Sequence, residues 1–264
     1  MIDLKFGLFW SGSKLSYLRY LTFKTLRHFH PESEIELFIS DTCKKDGYKW
    51  SCEKQDFEED IDGDDYTERL ADIDVKVIRG DFFGQYPPNF QSDFFRWWWL
   101  KNNGGFYLDT DQIILKSFSE LPLDNDLIYS GYVARSCGFY TPVGCIGASK
   151  ASEMVEWIMQ LLPQFYNPDN YNSLGPFMFR DMLRSRRWKD KMYNAHPSIF
   201  YPVPDSYLVP HIYDGTIQPF PNSLSLHWFG GHEASQEFNK KYTEEMAKES
   251  NDTISRFLRE KELM

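Results

Sequence analysis

The sequence predicts a single α/β domain over residues 1–264, with a mostly parallel central sheet. An opening β-α-β pattern carries the first part of this prediction, because consecutive units of this kind build parallel sheets. The length of 264 residues and the 42% hydrophobic content predict that the chain forms a single domain. They suffice for one sizeable core and are slightly short for two domains.

The hydrophobic pattern places each opening element in turn. Residues 5–10 (KFGLFW) predict a first strand. Leucines at roughly helical spacing then predict a helix over about 15–28, and Pro31 prevents its continuation. Residues 35–40 (IELFIS) and 74–78 (DVKVI) predict the second and third strands. No repeat or linker interrupts the chain, so we expect one domain from end to end.

Two charged segments are expected at the surface. Residues 41–65 are polar and acidic, which predicts a solvated loop. A calcium site is the alternative, since oxygen-rich loops bind hard cations, although the spacing of an EF-hand is missing. Residues 233–260 are charged with scattered apolar positions, which predicts a C-terminal helical segment that packs on the domain and is interrupted near Asn251.

Composition excludes several classes of protein. The net charge of −10 argues against a nucleic-acid partner, because phosphate binding requires a basic face. No apolar run approaches the length of a transmembrane helix, and no signal peptide is visible, so we expect a cytoplasmic protein. The four cysteines lack C-x-x-C spacing, which favours free thiols; a disulfide between Cys43 and Cys52 is the alternative.

Residues 92–111 (SDFFRWWWLKNNGGFYLDTD) are the segment that carries chemistry. Ser92 is a favourable N-cap residue, which predicts that a helix begins there with Asp93 in its first turn. The two glycines after residue 103 predict its end. Asp93 and Arg96 are three positions apart, so they share one helix face.

Two aspartates follow the next apolar stretch. Residues 106–108 predict a short strand, and Asp109 and Asp111 stand at its exit, where they project to one side. Two carboxylates about 6 Å apart repel by roughly 3 kcal/mol at an effective dielectric of about 20. We therefore expect a divalent cation to offset them and to bridge to a diphosphate. The carboxyl end of a parallel strand is where α/β folds bind ligands.

In combination, S-D-x-x-R, a helix, G-G, an apolar strand and D-x-D resemble the signature of glycosyltransferase family 32, the sugar-transferring family with a DXD motif. The clostridial toxin glucosyltransferases share the pattern at a distance. The resemblance implies a GT-A type, Rossmann-like nucleotide-sugar-binding fold, a divalent metal (Mn²⁺ or Mg²⁺) and retention of anomeric configuration. It also implies that Asp109 contacts the ribose or sugar of the donor, Asp111 the metal, and Asp93 and Arg96 the donor sugar.

Residues 9–12 (FWSG) and 172–176 (NSLGP) extend the resemblance. The first segment is similar to the family's first strand and turn, where a tryptophan often stacks on the base. Trp10 is accordingly the candidate for a donor-binding residue, with a core tryptophan as the alternative. The second segment is similar to the family's G-P turn near the acceptor side.

A late H-W segment completes the resemblance. Residues 225–228 (SLHW) resemble a late segment that, in proteins of this family, closes over the diphosphate. The resemblance implies donor-binding roles for His227 and Trp228. His227 is also a candidate metal ligand beside Asp109 and Asp111. The family's later tryptophan is replaced here by Gly-Gly-His-Glu. His232 and Glu233 are therefore alternatives to His227 as the third metal ligand.

The resemblance implies a metal-dependent, retaining glycosyltransferase. Such an enzyme moves a hexose from a UDP- or GDP-sugar to a hydroxyl of a glycan or glycolipid acceptor, and its catalytic residues here would be Asp93, Arg96, Asp109 and Asp111. A phosphohydrolase of the haloacid dehalogenase type is disfavoured by the mid-chain position of D-x-D and by Ile113. The alternative is a non-catalytic carbohydrate-binding protein, for which the aromatic residues would suffice.

Overall fold

A seven-stranded, mostly parallel sheet forms the centre of the computed structural model, which describes residues 1–42, 61–134, 138–184, 186–203, 206–218 and 221–264. The strands are β1 (Phe6–Trp10), β2 (Ile35–Ser40), β3 (Lys76–Gly80), β4 (Gly105–Leu108), β5 (Gln112–Ile114), β6 (Leu127–Tyr129), β7 (Tyr132–Ala134), β8 (Gly138–Tyr140), β9 (Cys145–Ala148), β10 (Met192–Asn194) and β11 (Ser225–His227). Their order in the central sheet is β10-β6-β9-β4-β1-β2-β3, in which β9 runs antiparallel to both neighbours and the other pairs are parallel. Two antiparallel pairs, β5–β11 and β7–β8, stand beside it.

Helices cover both faces of this sheet. They are α1 (Tyr17–Phe29), α2 (Pro88–Asn103), α3 (Glu153–Phe165), α4 (Met178–Leu183), α5 (Pro197–Phe200), α6 (Pro210–Tyr213), α7 (Glu233–Lys241), α8 (Glu244–Glu249) and α9 (Thr253–Glu260). Successive strand residues point to opposite faces, so Leu8 joins the hydrophobic cluster under α1 while Phe9 joins the cluster under α2 and α3. Strands β1, β2 and β4 are therefore buried on both sides, as their continuous apolar runs require.

The predicted fold class is confirmed. The first strand and helix lie within two residues of their expected bounds, and Phe6 pairs with Ile35 in parallel register. The third strand occupies Lys76–Gly80, two positions later than the pattern predicted. One α/β domain with a mostly parallel sheet results.

The predicted start of the second helix is wrong. It begins at Pro88, four residues before Ser92, with Pro87 in the N-cap position. Proline is well suited to the first helical turn, because its fixed φ is already helical and its missing N–H would have had no partner there. Ser92 and Asp93 consequently lie inside the helix, and no helix-terminus field acts on Asp93. The predicted end is confirmed, since Gly104 closes the helix with a φ of 69°.

Parts of three predictions lie outside the described residues. Residues 43–60 contain most of the acidic segment 41–65, the alternative calcium site and the Cys43–Cys52 pair. The C-terminal segment 233–260 is helical, with the expected interruption near Asn251 between α8 and α9 and a further one between α7 and α8. Within the described ranges, no helix combines the length and the apolar character needed to cross a membrane. The cytoplasmic location stays a prediction.

Candidate active site

A cavity of about 310 Å³ opens where β1 and β4 end. Its wall includes Trp10 at the end of β1, Ser11 directly after it, and the three residues Asp109, Thr110 and Asp111 after β4. Because the carboxyl ends of parallel strands meet at one edge of a sheet, the exit of β4 faces the exit of β1. The cavity therefore occupies the edge at which the sequence predicted a ligand site.

Two carboxylates and one imidazole converge in this cavity. The antiparallel β5–β11 pair sets His227 opposite Gln112, which brings the ring beside the aspartates that precede β5. His227 Nε2 lies 3.2 Å from Asp111 Oδ1 and 4.0 Å from Asp109 Oδ2. One ligand atom from each of the three residues lies within 4.8 Å of the others. We call Asp109, Asp111 and His227 the acidic cluster.

The surroundings of the acidic cluster suit a cation. Gly144 packs directly against it: a Cβ atom there would lie 2.5 Å from Asp109 Oδ2 and 3.1 Å from His227 Nε2. Asp111 Oδ2 accepts a hydrogen bond of 2.7 Å from the Gly230 N–H. The buried Asp111 Oδ1 receives no hydrogen bond from any residue in the described ranges. An acceptor oxygen left in this state is available to a metal ion.

His232 and Glu233 are not part of the acidic cluster. The His232 ring accepts a hydrogen bond of 3.2 Å from the Ala234 N–H and so caps the N-terminus of α7. Glu233 is exposed in the first turn of the same helix. Among the three candidates for a third ligand, His227 is thus the residue that the fold brings to the aspartates.

A second charged group lies on the side of the cavity formed by α2. Arg96 Nη2 is 3.0 Å from Asp93 Oδ1 and 3.6 Å from Asp109 Oδ1, and all three side chains line the cavity. Arg96 Nη1 also donates to the Val143 carbonyl. Asp93 and Arg96 therefore share one helix face, as predicted, and Arg96 connects that face to the acidic cluster.

Tyr107 also holds Asp109, at the same carboxylate oxygen as Arg96. Its hydroxyl donates to Asp109 Oδ1 at 2.9 Å and lies 2.8 Å from Ser92 Oγ. The Arg96 guanidinium lies 4.7 Å from the centre of the Tyr107 ring. Asp109 is thus fixed by one cation and one hydroxyl before any ligand binds.

The pKa values of the two carboxyl groups beside Arg96 are shifted in opposite directions. Burial raises the pKa of Asp93 to about 7; Arg96 opposes this shift and Asp109 adds to it. Burial also acts to raise the pKa of Asp109, but Arg96, His227 and Tyr107 outweigh it and hold that pKa at about 2. Asp109 is consequently ionised at neutral pH, whereas Asp93 titrates there.

His227 responds to its carboxylate neighbours. Burial lowers the pKa of the ring, but the charges of Asp111 and Asp109 outweigh burial and raise it above its ordinary value. The His227 Nδ1 atom accepts a hydrogen bond of 3.2 Å from the Phe229 N–H, so the proton of the ring lies on Nε2, facing the carboxylates. A metal ion at this position would replace that proton.

Arg19 occupies the other side of the cavity and was missed by the sequence analysis. It projects from α1, donates from Nη1 to Thr110 Oγ1 at 2.9 Å, and is 5% exposed. Its guanidinium carbon lies 4.2 Å from the centre of the Trp10 ring and 5.2 Å from that of Trp228. The one available signal was a basic residue among the apolar positions of the predicted first helix.

This arrangement changes the expectation for the two tryptophans. Trp10 lines the cavity, but Arg19 already covers one face of its ring, and its Nε1 donates to the Lys14 carbonyl at 3.0 Å. Trp228 is fully buried and does not contribute to the cavity wall, so the expectation that it contacts the donor directly is not supported by its position. Its backbone N–H instead donates to the Asp111 carbonyl at 3.0 Å.

Comparison with known proteins identifies the segment that builds this site. Residues 19–129 match the family described as "Glycosyltransferase sugar-binding region containing DXD motif". No curated protein matches the chain in sequence. The matched segment contains Arg19, Asp93, Arg96, Asp109 and Asp111.

Solved structures resemble the fold at low sequence identity. The glycosyltransferase GlyE of Streptococcus pneumoniae TIGR4 is 15% identical with a TM-score of 0.50; the match covers 98% of this chain and 65% of the GlyE chain. PaToxG glycosyltransferase is 20% identical with a TM-score of 0.49, covering 69% of each chain. The galactosyltransferase LgtC, solved with donor and acceptor sugar analogues, is 15% identical with a TM-score of 0.43, covering 91% of this chain and 98% of its own. The chain thus spans about two thirds of the length of GlyE.

The family match supports a transferase over a non-catalytic carbohydrate-binding protein, because it covers the segment that positions these five charged groups in one cavity. The likeness to GlyE agrees with the parallel sheet and with the position of the cavity at its edge. The chain has a GT-A type fold, and its residues 19–129 match the glycosyltransferase sugar-binding region containing a DXD motif.

Proposed function

We propose that this enzyme transfers a hexose from a UDP- or GDP-sugar to a hydroxyl group of a glycan or glycolipid acceptor, in a metal-dependent reaction that retains the anomeric configuration. The observation that carries the proposal is the acidic cluster, in which two carboxylates and an imidazole lie within 4.8 Å of one another inside a cavity at the sheet edge. An acidic protein needs a cation to hold an anionic donor, and this is where one fits.

Asp109, Asp111 and His227 would hold the metal. Carboxylate oxygens suit Mg²⁺ and Mn²⁺, and the imidazole favours Mn²⁺ over Mg²⁺ because magnesium is bound almost entirely by oxygen. When bound, the ion would supply positive charge to the departing diphosphate. His227 supports this assignment because its Nε2 atom already faces both carboxylates.

Arg96 and Asp93 would bind the sugar of the donor. The Arg96 Nη2 atom contacts both Asp93 and Asp109, so a sugar attached to a metal-bound diphosphate would lie within reach of Arg96 and Asp93. Arg96 is held by Asp93, Asp109 and the Val143 carbonyl, which fixes its positive charge before the reaction begins. Fixed charges of this kind need no reorganisation when charge develops on the leaving group.

Arg19 and Trp10 would form the nucleotide side of the site. The guanidinium lies against the Trp10 ring and close to the residue between the two aspartates, where it adds positive charge for a diphosphate. Trp10 would border the base with the edge of its ring or with the face that Arg19 leaves open. Direct base stacking on both faces is incompatible with the Arg19 contact.

Retention would follow from attack on the same side as the leaving group. The carboxylates that line the cavity within the described ranges are Asp93, Asp109 and Asp111. Asp109 and Asp111 belong to the acidic cluster, and Asp93 is buried against Arg96. None of the three is therefore well placed as a covalent nucleophile. The anomeric configuration of the new glycosidic bond, measured by NMR and compared with that of the donor, tests this point.

A thermal-shift panel of UDP- and GDP-sugars, each with and without Mn²⁺, tests the proposal as a whole. A ligand that binds only the folded protein raises the melting temperature by mass action. We expect a shift that requires both Mn²⁺ and Asp111, with Asp111→Asn folded but unresponsive. Asp124→Asn, an exposed carboxylate away from the cavity, is the matched control. A folded wild-type protein that responds to no donor contradicts the proposal.

A further inference from the structure

Asn89 is a buried polar residue in the cavity wall that the assignments above leave unused. It lies on α2, one turn before Asp93, and is 8% exposed. Its Nδ2 atom is 3.5 Å from the Tyr171 carbonyl, which is a long and weak contact. No residue in the described part of the chain donates a hydrogen bond to its Oδ1 atom.

A buried amide oxygen without a donor is costly, because folding removes the water that it would otherwise bind. Native proteins retain few such atoms, and those that they retain need an explanation. Apolar side chains of similar size would fill the same position without this cost. The cost disappears when a bound ligand supplies a hydrogen-bond donor.

The position of Asn89 on α2 indicates which part of a ligand it meets. Arg96, Asp93 and Asn89 follow one another along one face of the helix, so Asn89 lies about 10 Å from Arg96 along the helix axis. Arg96 is the residue that contacts Asp109. A ligand anchored at the acidic cluster therefore reaches Arg96 first, Asp93 next and Asn89 last.

The chemistry of this end of the cavity selects a neutral donor group. Asn89 Oδ1 is an acceptor, and the Asp93 carboxyl, one turn further along the same face, is an acceptor when it is ionised. An anionic group would be repelled there, whereas a hydroxyl can donate. Residues four apart on a helix are about 5–6 Å apart at Cβ, so their side chains can converge on one small ring.

We infer that Asn89 is a specificity-determining residue for the transferred sugar, with its Oδ1 atom accepting a hydrogen bond from a sugar hydroxyl at the end of the ring remote from the diphosphate. This inference rests on the proposed function. A site built to bind a hydroxyl discriminates strongly against an analogue that lacks it, since its buried acceptor is then left unpaired. Asn89 thus selects among donor sugars without contributing to nucleotide binding.

The test measures donor hydrolysis by the wild type, Asn89→Ala and Asn89→Leu with Mn²⁺ and a panel of UDP-glucose, UDP-galactose, UDP-xylose, UDP-N-acetylglucosamine and GDP-mannose. We expect both variants to lower kcat/KM for the preferred donor by about tenfold, the value of one hydrogen bond. The ratio between that donor and the others should shrink accordingly. Binding of free UDP or GDP with Mn²⁺ should stay at the wild-type level.

Asn103→Ala is the matched control. Asn103 lies at the other end of α2, outside the cavity, and its Nδ2 atom donates to the Trp99 carbonyl at 3.1 Å. This variant should keep the wild-type ratio among donors. Melting temperatures report folding, and both Asn89 variants should equal or exceed the wild type because the unpaired oxygen is removed.

Two results would overturn the inference in distinguishable ways. An unchanged ratio among donors in folded Asn89 variants, or an equal loss of free-nucleotide binding, refutes the role of Asn89 while the proposed function stands. A folded wild-type enzyme that neither binds nor hydrolyses any donor in the panel refutes the proposed function, and the inference falls with it.

Discussion

The two aspartates of the D-x-D pair are held by two different halves of the cavity. Asp109 is fixed by charged and hydroxyl groups from α2 and β4, namely Arg96 and Tyr107. Asp111 is fixed by main-chain groups of the segment after β11, since its Oδ2 atom accepts from the Gly230 N–H. The Arg19 side chain, stacked on Trp10, lies in this second half. We call the half that holds Asp109 the α2 half and the half that holds Asp111 the Arg19 half.

The difference shows how the same motif is stabilised in two ways. The α2 half is a balance of buried charges around Arg96, so it depends above all on that shared cation. The Arg19 half relies on stacking and on main-chain hydrogen bonds, so it depends on close packing. Changes in the α2 half should therefore act through electrostatics and pH, and changes in the Arg19 half through geometry.

Arg96→Met should produce the largest effect. It leaves the carboxyl groups of Asp93 and Asp109 buried without their shared cation, and breaking a buried ion pair in this way costs about 3–5 kcal/mol. Urea unfolding at pH 8 measures the loss. Arg184→Met is the matched control, because the exposed Arg184–Asp181 pair contributes about 0–1 kcal/mol. Equal losses in the two variants would show that the α2 half is not an electrostatic balance.

Gly144→Ala should separate geometry from charge. The added Cβ would lie within 3.1 Å of both Asp109 Oδ2 and His227 Nε2, so the acidic cluster must shift while its charges remain. We expect Mn²⁺-dependent donor hydrolysis to fall on the order of a hundredfold, as for a misplaced catalytic group. Gly63→Ala is the control, since its nearest atom is 4.0 Å away, at Ile61. Unchanged Mn²⁺ dependence in Gly144→Ala would mean that the ion binds elsewhere.

Arg19→Lys probes the stacked half. Lysine keeps the charge but loses the planar guanidinium that lies on the Trp10 ring. We expect binding of free UDP or GDP in the presence of Mn²⁺ to weaken about tenfold, in keeping with the energy of a partly buried cation–π contact. Calorimetric titration measures this affinity. If Arg19→Lys binds the nucleotide with wild-type affinity, the assignment of Arg19 and Trp10 to nucleotide binding is contradicted.

Asp93→Asn should give the smallest effect and a distinctive pH profile. Burial raises the pKa of Asp93 in the folded protein to about 7, above its unfolded value, so the folded state holds the proton more tightly. This contribution to stability is fully present below about pH 4 and is lost as the pH rises through 7. Asparagine imitates the protonated form and keeps the contribution.

The melting temperature of Asp93→Asn, relative to the wild type, should therefore rise by a few degrees between pH 5 and pH 8. Thermal unfolding at four pH values measures this difference. Asp124→Asn, at an exposed position, should show a constant difference. A constant difference for Asp93→Asn as well would contradict the raised pKa.

The sequence predicted the α2 half well because its parts are close along the chain. Asp93 and Arg96 are linked by helical periodicity, and Asp109 directly follows strand β4, so local geometry alone places these three residues. The start of α2 was missed because the prediction rested on Ser92 as a favourable N-cap residue, whereas the helix begins at Pro88, a residue suited to the first turn.

The Arg19 half could not be derived in the same way. Arg19, Asp111 and Gly230 are far apart in sequence, and no periodicity links them. The family resemblance proposed His227 as a metal ligand, with His232 as an alternative. The antiparallel pairing of β11 with β5 decides between them, because it brings the His227 ring to the aspartates. The same tertiary packing buries Trp228 and covers one face of Trp10 with a guanidinium.

The sequence by itself determined the α/β class, the order of the first elements and the residues of the D-x-D region, because these follow from short-range periodicity and from the chemistry of each side chain. The tertiary structure decided which distant residues share the cavity: His227 as the third member of the acidic cluster, Arg19 beside Trp10, and Asn89 with its unpaired oxygen. Such contacts depend on how strands pair and helices pack across the whole chain, so the sequence pattern of any one segment does not predict them.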